Sequence, residues 1–196
     1  MNTTVYLVRH GAYENPKHIF HGRLPGFPLS AEGKNQVVRM AVYLAKQPIV
    51  AVYSSRLTRA YETAEIIAQK FHVPVKTDRR LLDIRTPLQG KLRAYVDPLD
   101  GDFYTEQLIH AGGERLEDAC KRIDHMIRAK VREHAGKSFV VVSHGDPIMS
   151  VVFTYEGKPL PIHFTMKQWY VPQGSGFKIE FDEDLKKQKV INLPLP

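Results

Sequence analysis

The stretch from Val5 to Asn15, VYLVRHGAYEN, starts as a buried strand and ends on a charged pair followed by glycine. A short apolar run with β-branched members reads as an interior strand. Charged side chains fit such a strand only where it leaves the sheet, so Arg9 and His10 stand at its carboxyl end and Gly11 opens the loop beyond. A cation and an imidazole are thereby delivered to a sheet edge. The residues downstream decide which kind of sheet this is.

A helical period covers Ser30–Ala45, "IVAVYSS" follows at Ile49–Ser55, and a second helical period covers Arg56–Phe71. In that second helix Leu57, Tyr61, Ala64, Ile67, Ala68 and Phe71 share one face. "VPVKTD" predicts a short strand and "GERLEDACKRIDHMIRAKV" a long helix. "KSFVVVSHGD" predicts a buried strand that runs directly into a helix, with Asp146 as its N-cap and Pro147 in its first turn. "GFKIEF" and "KVINL" alternate in polarity and predict a terminal hairpin. Strands and helices in this alternation predict an α/β fold with a mostly parallel sheet. Residues 88–113 carry proline, glycine and mixed polarity, including "DPLDGD", and read as a cap-like excursion within a single domain spanning 1–196.

At 196 residues and 43% hydrophobic, the chain can bury one sizeable core. No apolar run reaches the roughly 18 residues of a membrane span, and the first residues lack a leader pattern. A cytoplasmic protein without membrane contact is expected. The single cysteine, Cys120, excludes an internal disulfide and a thiolate cluster, and its helical setting makes it a core residue. A formal charge of +7 favours anionic ligands. The basic cluster Lys186, Lys187 and Lys189 follows the acidic Asp182–Asp184, which describes a solvated hairpin loop, so no nucleic-acid partner is expected. His18 and His21 lie near His10 in sequence, but no carboxylate or cysteine stands at ligand spacing, and neither metal nor cofactor is expected. His72, His110, His125, His134 and His163 show no partner pattern and read as structural. Oligomeric state is open.

In open α/β sheets ligands gather beyond the carboxyl ends of the strands. Three such ends carry polar groups here: Arg9-His10-Gly11, then "SSRLTRAYETA" with Arg59 in the first helical turn, then Ser143-His144-Gly145. Two histidines and two arginines brought together suit a phosphoryl group. A neutral imidazole attacks phosphorus, and guanidinium forks match the equatorial oxygens. Arg9, Arg59 and a protonated His144 are expected to depress the pKa of His10 by like-charge repulsion. Gly11 and Gly145 are expected to let backbone approach the phosphate. Asp146, beside a proline at a helix start, reads as a cap rather than an acid.

"LVRHG", "GRLPGFPLSAEG", "SSRLTRAYETA", "GGERLEDA" and "VVSHGD", in this order, resemble the histidine phosphatase superfamily with its phosphoglycerate-mutase-like fold. The resemblance implies a three-layer α/β/α sandwich around a mostly parallel sheet, with His10 as the phosphorylated nucleophile, Arg9 and Arg59 as phosphate ligands, and His144 completing the pocket. It places Asp83, in "RLLDIRTPLQG", where the family commonly carries a glutamate proton donor. It also points to Asn15, one residue nearer the nucleophile than the family's usual asparagine, which either contacts phosphate through a shifted loop or stands clear of it. His21 and Arg23, with His18, are candidate substrate contacts at the pocket mouth. Arg85, Lys91 and Arg93 suggest a substrate with more negative charge than one phosphate.

The activity implied is a metal-independent phosphomonoester hydrolase acting on a small phosphorylated substrate. The alternatives are a phosphoglycerate-mutase-type phosphotransferase and a non-catalytic phosphate-binding module. The shortness of the chain favours hydrolysis, because a mutase must keep water from its intermediate.

Overall fold

The computed structural model describes residues 2–160, 170–185 and 188–193. His163, Lys186 and Lys187 lie outside the described residues. Among the described residues six strands form one sheet: β1 (Thr3–Arg9), β2 (Ile49–Ser54), β3 (Val75–Thr77), β4 (Ser138–Ser143), β5 (Gly176–Phe181) and β6 (Gln188–Asn192). Their order is β3-β2-β4-β1-β5-β6. The first four run parallel, whereas β5 and β6 are antiparallel to their neighbours, so the terminal hairpin extends a parallel sheet into a mixed one.

Each central strand is apolar on both faces because helices cover both. Tyr6 and Val8 of β1, with Val140 and Val142 of β4, pack on α1 (Ala31–Leu44) and α2 (Thr58–Gln69). Val5, Leu7, Phe139 and Val141 pack on the opposite side against α5 (Leu116–Glu133) and α6 (Gly145–Tyr155). Alternate residues of one continuous hydrophobic run thereby serve two cores, the arrangement parallel sheets require. The sandwich implied by the resemblance is the one observed. Cys120 is buried in the α5 side of this core. Among the described residues no helix is long and apolar enough to cross a membrane.

Helix α1 starts where its sequence says it should: the Ser30 hydroxyl accepts from Gly33 N–H at 3.1 Å. Gly33 itself has no room for a methyl, since a Cβ would lie 1.8 Å from Ala12 O. A Cβ on Gly11 would lie 2.7 Å from Gly33 O. The loop after β1 therefore lies backbone to backbone on α1, and Gly11 gives way to protein rather than to ligand. Helix α2 is rotated from the expected face. Arg59, Ala60, Thr63, Ala64, Ile67 and Ala68 point inward, and Tyr61 is only half-buried, so a buried arginine and threonine share the apolar stripe.

The excursion at 88–113 holds two short helices, α3 (Arg93–Val96) and α4 (Glu106–His110). It is tied to the loop after β1 by Phe20 N–H to Lys91 O, Gly90 N–H to Phe20 O and Arg93 N–H to His18 O, each at 2.7 Å.

Candidate active site

Strands β2, β4 and β1 are adjacent and parallel, so their carboxyl ends meet at one edge. The chain leaves β1 toward α1 on one face and leaves β4 toward α6 on the other. The edge between them is a topological switch point, where the diverging connections leave a crevice. His10 N–H donates to Ser143 O at 3.1 Å, and the His10 and His144 rings lie at 59° to each other with centroids 5.2 Å apart.

Partners fix the tautomer of each ring. His10 Nδ1 donates to Gly11 O at 2.8 Å, which leaves Nε2 as the lone-pair nitrogen, and Arg59 Nε donates to it at 3.2 Å. His144 is arranged in reverse: Arg59 Nη2 donates to Nδ1 at 3.1 Å, and Nε2–H donates to Ser55 Oγ at 2.9 Å. The same Nη2 reaches Gly22 O at 3.0 Å and Asp83 Oδ2 at 2.9 Å. Arg59, 1% exposed, is thus the hub that joins nucleophile, second histidine and carboxylate.

Burial is the first cause that holds both His10 and His144 well below the ordinary histidine pKa, with Arg59 next and Arg9 adding at His10. His144 is therefore neutral, which corrects the expectation of a protonated ring. Desolvation outweighs like-charge repulsion because both imidazoles are shut inside the fold. His21 is pushed down to about 2, again chiefly by burial.

A stability consequence follows from these three rings. Their folded pKa values lie below the unfolded value near 6.5, so on acidification the unfolded chain takes up protons that the folded chain refuses. Stability is flat above that value and falls below it, by up to about 1.4 kcal/mol per pH unit for each ring. Urea midpoints measured from pH 8 to pH 5 should hold steady and then drop steeply, and His21→Gln should make the drop shallower. An unchanged slope in that variant would contradict the assignment.

The crevice is a cavity of about 290 Å³ whose wall includes Arg9, His10, Tyr13, His21, Asp83 and Asp146. A larger hollow of about 780 Å³, bounded by Met149, Val152, Phe177 and Leu193, contains none of the expected site residues. Arg9 spends Nη1 on Val171 O at 2.7 Å, while its Nε is buried without a partner among the described residues. Asp83 accepts from Arg59 through Oδ2 and from Ile84 N–H through Oδ1 at 2.9 Å. His21 Nδ1 pairs with Tyr13 Oη at 3.0 Å.

Other expected contacts are placed differently. Asn15 turns both ends of its amide onto Ile19, accepting from the backbone N–H at 3.2 Å and donating to the carbonyl at 2.9 Å, and it is not in the cavity wall. The residue braces its own loop because the turn through Pro16 and Lys17 closes on it, with His18 N–H donating to Asn15 O at 3.0 Å. Arg23 also stands behind the wall: its Nε donates to Asp83 O at 2.6 Å and its Nη2 to Glu114 at 2.8 Å. His18 is exposed and in left-handed backbone, at φ 46°. Arg85 and Lys91 are exposed and outside the wall, and Arg93 is paired with Asp97 at 2.6 Å. Asp146 is not the cap of α6. His144 holds that position, because the chain turns helical at Gly145, where a Cβ would lie 2.0 Å from Tyr170 Oη.

Several site residues carried no signal of their own. Tyr104 and Tyr170 both donate to Asp146, Tyr104 at 2.6 Å. Thr63 Oγ1 accepts from Gly11 N–H at 3.1 Å and donates to Arg59 O at 2.7 Å, coupling nucleophile loop to clamp helix. Arg122 donates to Asp83 O at 3.1 Å and to Glu114 at 2.8 Å, completing the brace that Arg23 begins. Glu114 lies within the quoted "GGERLEDA", but only the fold reveals what it holds. Among the described residues no three His, Cys, Asp or Glu side chains are grouped to hold a metal ion.

A mixed sheet between helical layers, with paired histidines and a buried arginine at its switch point, defines the phosphoglycerate-mutase-like class of α/β proteins. The chain belongs to the histidine phosphatase superfamily: the model described as "Histidine phosphatase superfamily (branch 1)" matches residues 5–194. Its relatives include "Uncharacterized protein Rv0525" of Mycobacterium tuberculosis, 37% identical over 167 residues and 81% of each chain. "Phosphoglycerate mutase-like protein 4" of Arabidopsis thaliana is 34% identical over 75% of this chain and 68% of its own. Among solved structures, Bacillus stearothermophilus YhfR superposes with a TM-score of 0.82 at 25% identity, covering 97% of this chain and 96% of its own. A mycobacterial glucosyl-3-phosphoglycerate phosphatase, Rv2419c, shares the fold with a TM-score of 0.80 at 20% identity, each chain covered in full.

Proposed function

We propose that the chain is a metal-independent phosphomonoester hydrolase that works through a phosphohistidine at His10. The observation that carries this reading is the pairing of a fixed lone pair with waiting donors. His10 and Arg9 both line the cavity; His10 spends Nδ1 on Gly11 O and so keeps its lone pair on Nε2, and Arg9 Nε is buried without an acceptor among the described residues. A phosphoryl group supplies what both lack, an electrophile for the imidazole and an oxygen for the guanidinium. On binding, Arg59 Nε exchanges His10 Nε2 for a phosphoryl oxygen and frees the nucleophile. His10 then attacks in line, and water cleaves the phosphohistidine. Proton transfer falls to a carboxylate of the wall, where Asp83 and Asp146 are the candidates.

The outer wall favours hydrolysis of the phosphate ester of an uncharged alcohol over transfer on a glycerate. It carries Asp97 and Asp100, and its cation Arg93 is already paired with Asp97. A second anionic group on the substrate meets like charge there. This proposal departs from the expectation drawn from Arg85, Lys91 and Arg93, of which the first two lie outside the wall and the third is paired with Asp97. With EDTA present, the enzyme should release inorganic phosphate from the phosphate ester of an uncharged polyol. Its kcat/KM should be at least about tenfold higher than for 3-phosphoglycerate, ~1.4 kcal/mol of repulsion. Exchange of phosphate between glycerate hydroxyls without release would mean a mutase, and binding without turnover would mean a module without catalysis.

A further inference from the structure

We propose that Asp146, and not Asp83, is the acid that protonates the leaving group. This rests on the hydrolase reading above and concerns which carboxylate serves it. Both carboxylates lie in the cavity wall, but their hydrogen-bond partners differ in kind. Asp83 is hydrogen-bonded only by groups that donate, Arg59 Nη2 on one oxygen and the Ile84 amide on the other, while His144 Nδ1 and His21 Nε2 stand off from Oδ2 at 3.6 and 3.9 Å, beyond hydrogen-bond reach. A guanidinium and a backbone N–H have no lone pair to receive a carboxyl proton. A protonated Asp83 therefore turns a donor toward a donor, and a proton cycle there must break a charge-assisted contact each time.

Asp146 is held by two hydroxyls instead, Tyr104 on Oδ2 and Tyr170 on Oδ1. A phenol both donates and accepts, and its O–H turns about the C–O bond. The pair can thus donate to the carboxylate and accept from the acid without moving a heavy atom. The group keeps its place in both halves of a proton cycle. It is half-buried, in the wall of the same cavity as His10, on the first turn of the helix that follows His144. Burial raises its pKa, with Asp83 adding in the same direction and the two tyrosine bonds opposing, which favours a proton available for donation.

The step balances as follows. The bond from His10 Nε2 to phosphorus forms as the bond to the ester oxygen breaks, and that oxygen takes the Asp146 proton and departs as an alcohol. Water then attacks phosphorus, the Asp146 carboxylate takes its proton, and the bond to His10 breaks. Asp146 returns to its acid form and phosphate leaves. Asp83 is left a positioning role, orienting Arg59.

The test compares esters of graded leaving-group acidity. A nitrophenol departs without help, whereas an alkoxide needs the proton, so loss of the acid is selective. In Asp146→Asn, kcat/KM for p-nitrophenyl phosphate, which reports only the phosphorylation step, should stay within about tenfold of wild type, while kcat/KM for an alkyl phosphate should fall by about a hundredfold or more. Asp83→Asn should lower both substrates by a similar factor and keep the shallow wild-type dependence on leaving-group pKa. The proposal is overturned if kcat/KM in Asp146→Asn falls equally for both substrates, or if the selective loss appears in Asp83→Asn. The second comparison decides the matter even where Asp146→Asn does not fold. A wild-type protein that turns over neither ester overturns the hydrolase reading itself, a separate result from a uniform loss in one variant.

Discussion

His10→Ala will release no measurable phosphate from p-nitrophenyl phosphate and will retain no acid-labile phosphoryl group after quenching. The expected loss is at least about a thousandfold, because removing a covalent nucleophile abolishes the route rather than weakening one contact. The fold should survive. The His10 side chain is held by its own neighbour's carbonyl and by Arg59, and neither contact belongs to the strand ladder that positions β1. Arg59 keeps Gly22 O, Asp83 and His144 as acceptors when the ring is gone. Added imidazole should restore part of the turnover, since the vacated space is walled by the same donors. A variant that folds and retains wild-type turnover would remove His10 from the chemistry, and a folded variant that still becomes labelled would place the nucleophile elsewhere.

How much of this site a sequence can disclose depends on the range of the interaction. The strand ends were legible because burial on both faces writes an uninterrupted apolar run, as in Val5–Val8 and Phe139–Val142, and the first charged residue after such a run marks the edge. His10, Arg9 and His144 follow from that pattern. Arg59 was legible from its position in the first turn of a helix that follows a strand, although the face drawn from apolar spacing placed Tyr61 inside instead of Thr63. The carboxylates were not legible. The donors around Asp83 come from Arg59 and Ile84 at its side and from Arg23 and Arg122 at its backbone, and those around Asp146 from Tyr104 and Tyr170. Polar pairings between distant loops have no period, so nothing in the one-dimensional pattern separates a capping aspartate from a catalytic one. Asn15 shows the same limit: the resemblance left it either on the phosphate or clear of it, and its partner is Ile19, four residues on.

Arg59→Lys should be as damaging to turnover as a change at a charged position can be without removing the charge. Three side chains depend on the spacing of the guanidinium: Nε serves His10 at 3.2 Å, while Nη2 serves Asp83 at 2.9 Å and His144 at 3.1 Å. A lysine ammonium offers its donors from a single atom at the end of a flexible stem and cannot span them. With it, His10 loses the bond that marks Nε2 as the acceptor, and a transferring phosphoryl group loses the planar fork that matches its oxygens. The expected loss in kcat/KM is about a hundredfold to a thousandfold, most of it in kcat, because the fork's advantage is greatest when charge spreads over the equatorial oxygens. Arg59→Met separates the structural share. It leaves the half-buried Asp83 carboxylate without its cation, and removing one partner of a buried pair typically destabilises by about 3–5 kcal/mol, with Asp83's partial exposure placing it at the lower end. The methionine variant should therefore melt well below wild type, and the lysine variant should melt close to it while remaining nearly inactive. Equal activity in Arg59→Lys and wild type would show that the site needs only a positive charge there, and the hub drawn from the hydrogen bonds would have to be abandoned.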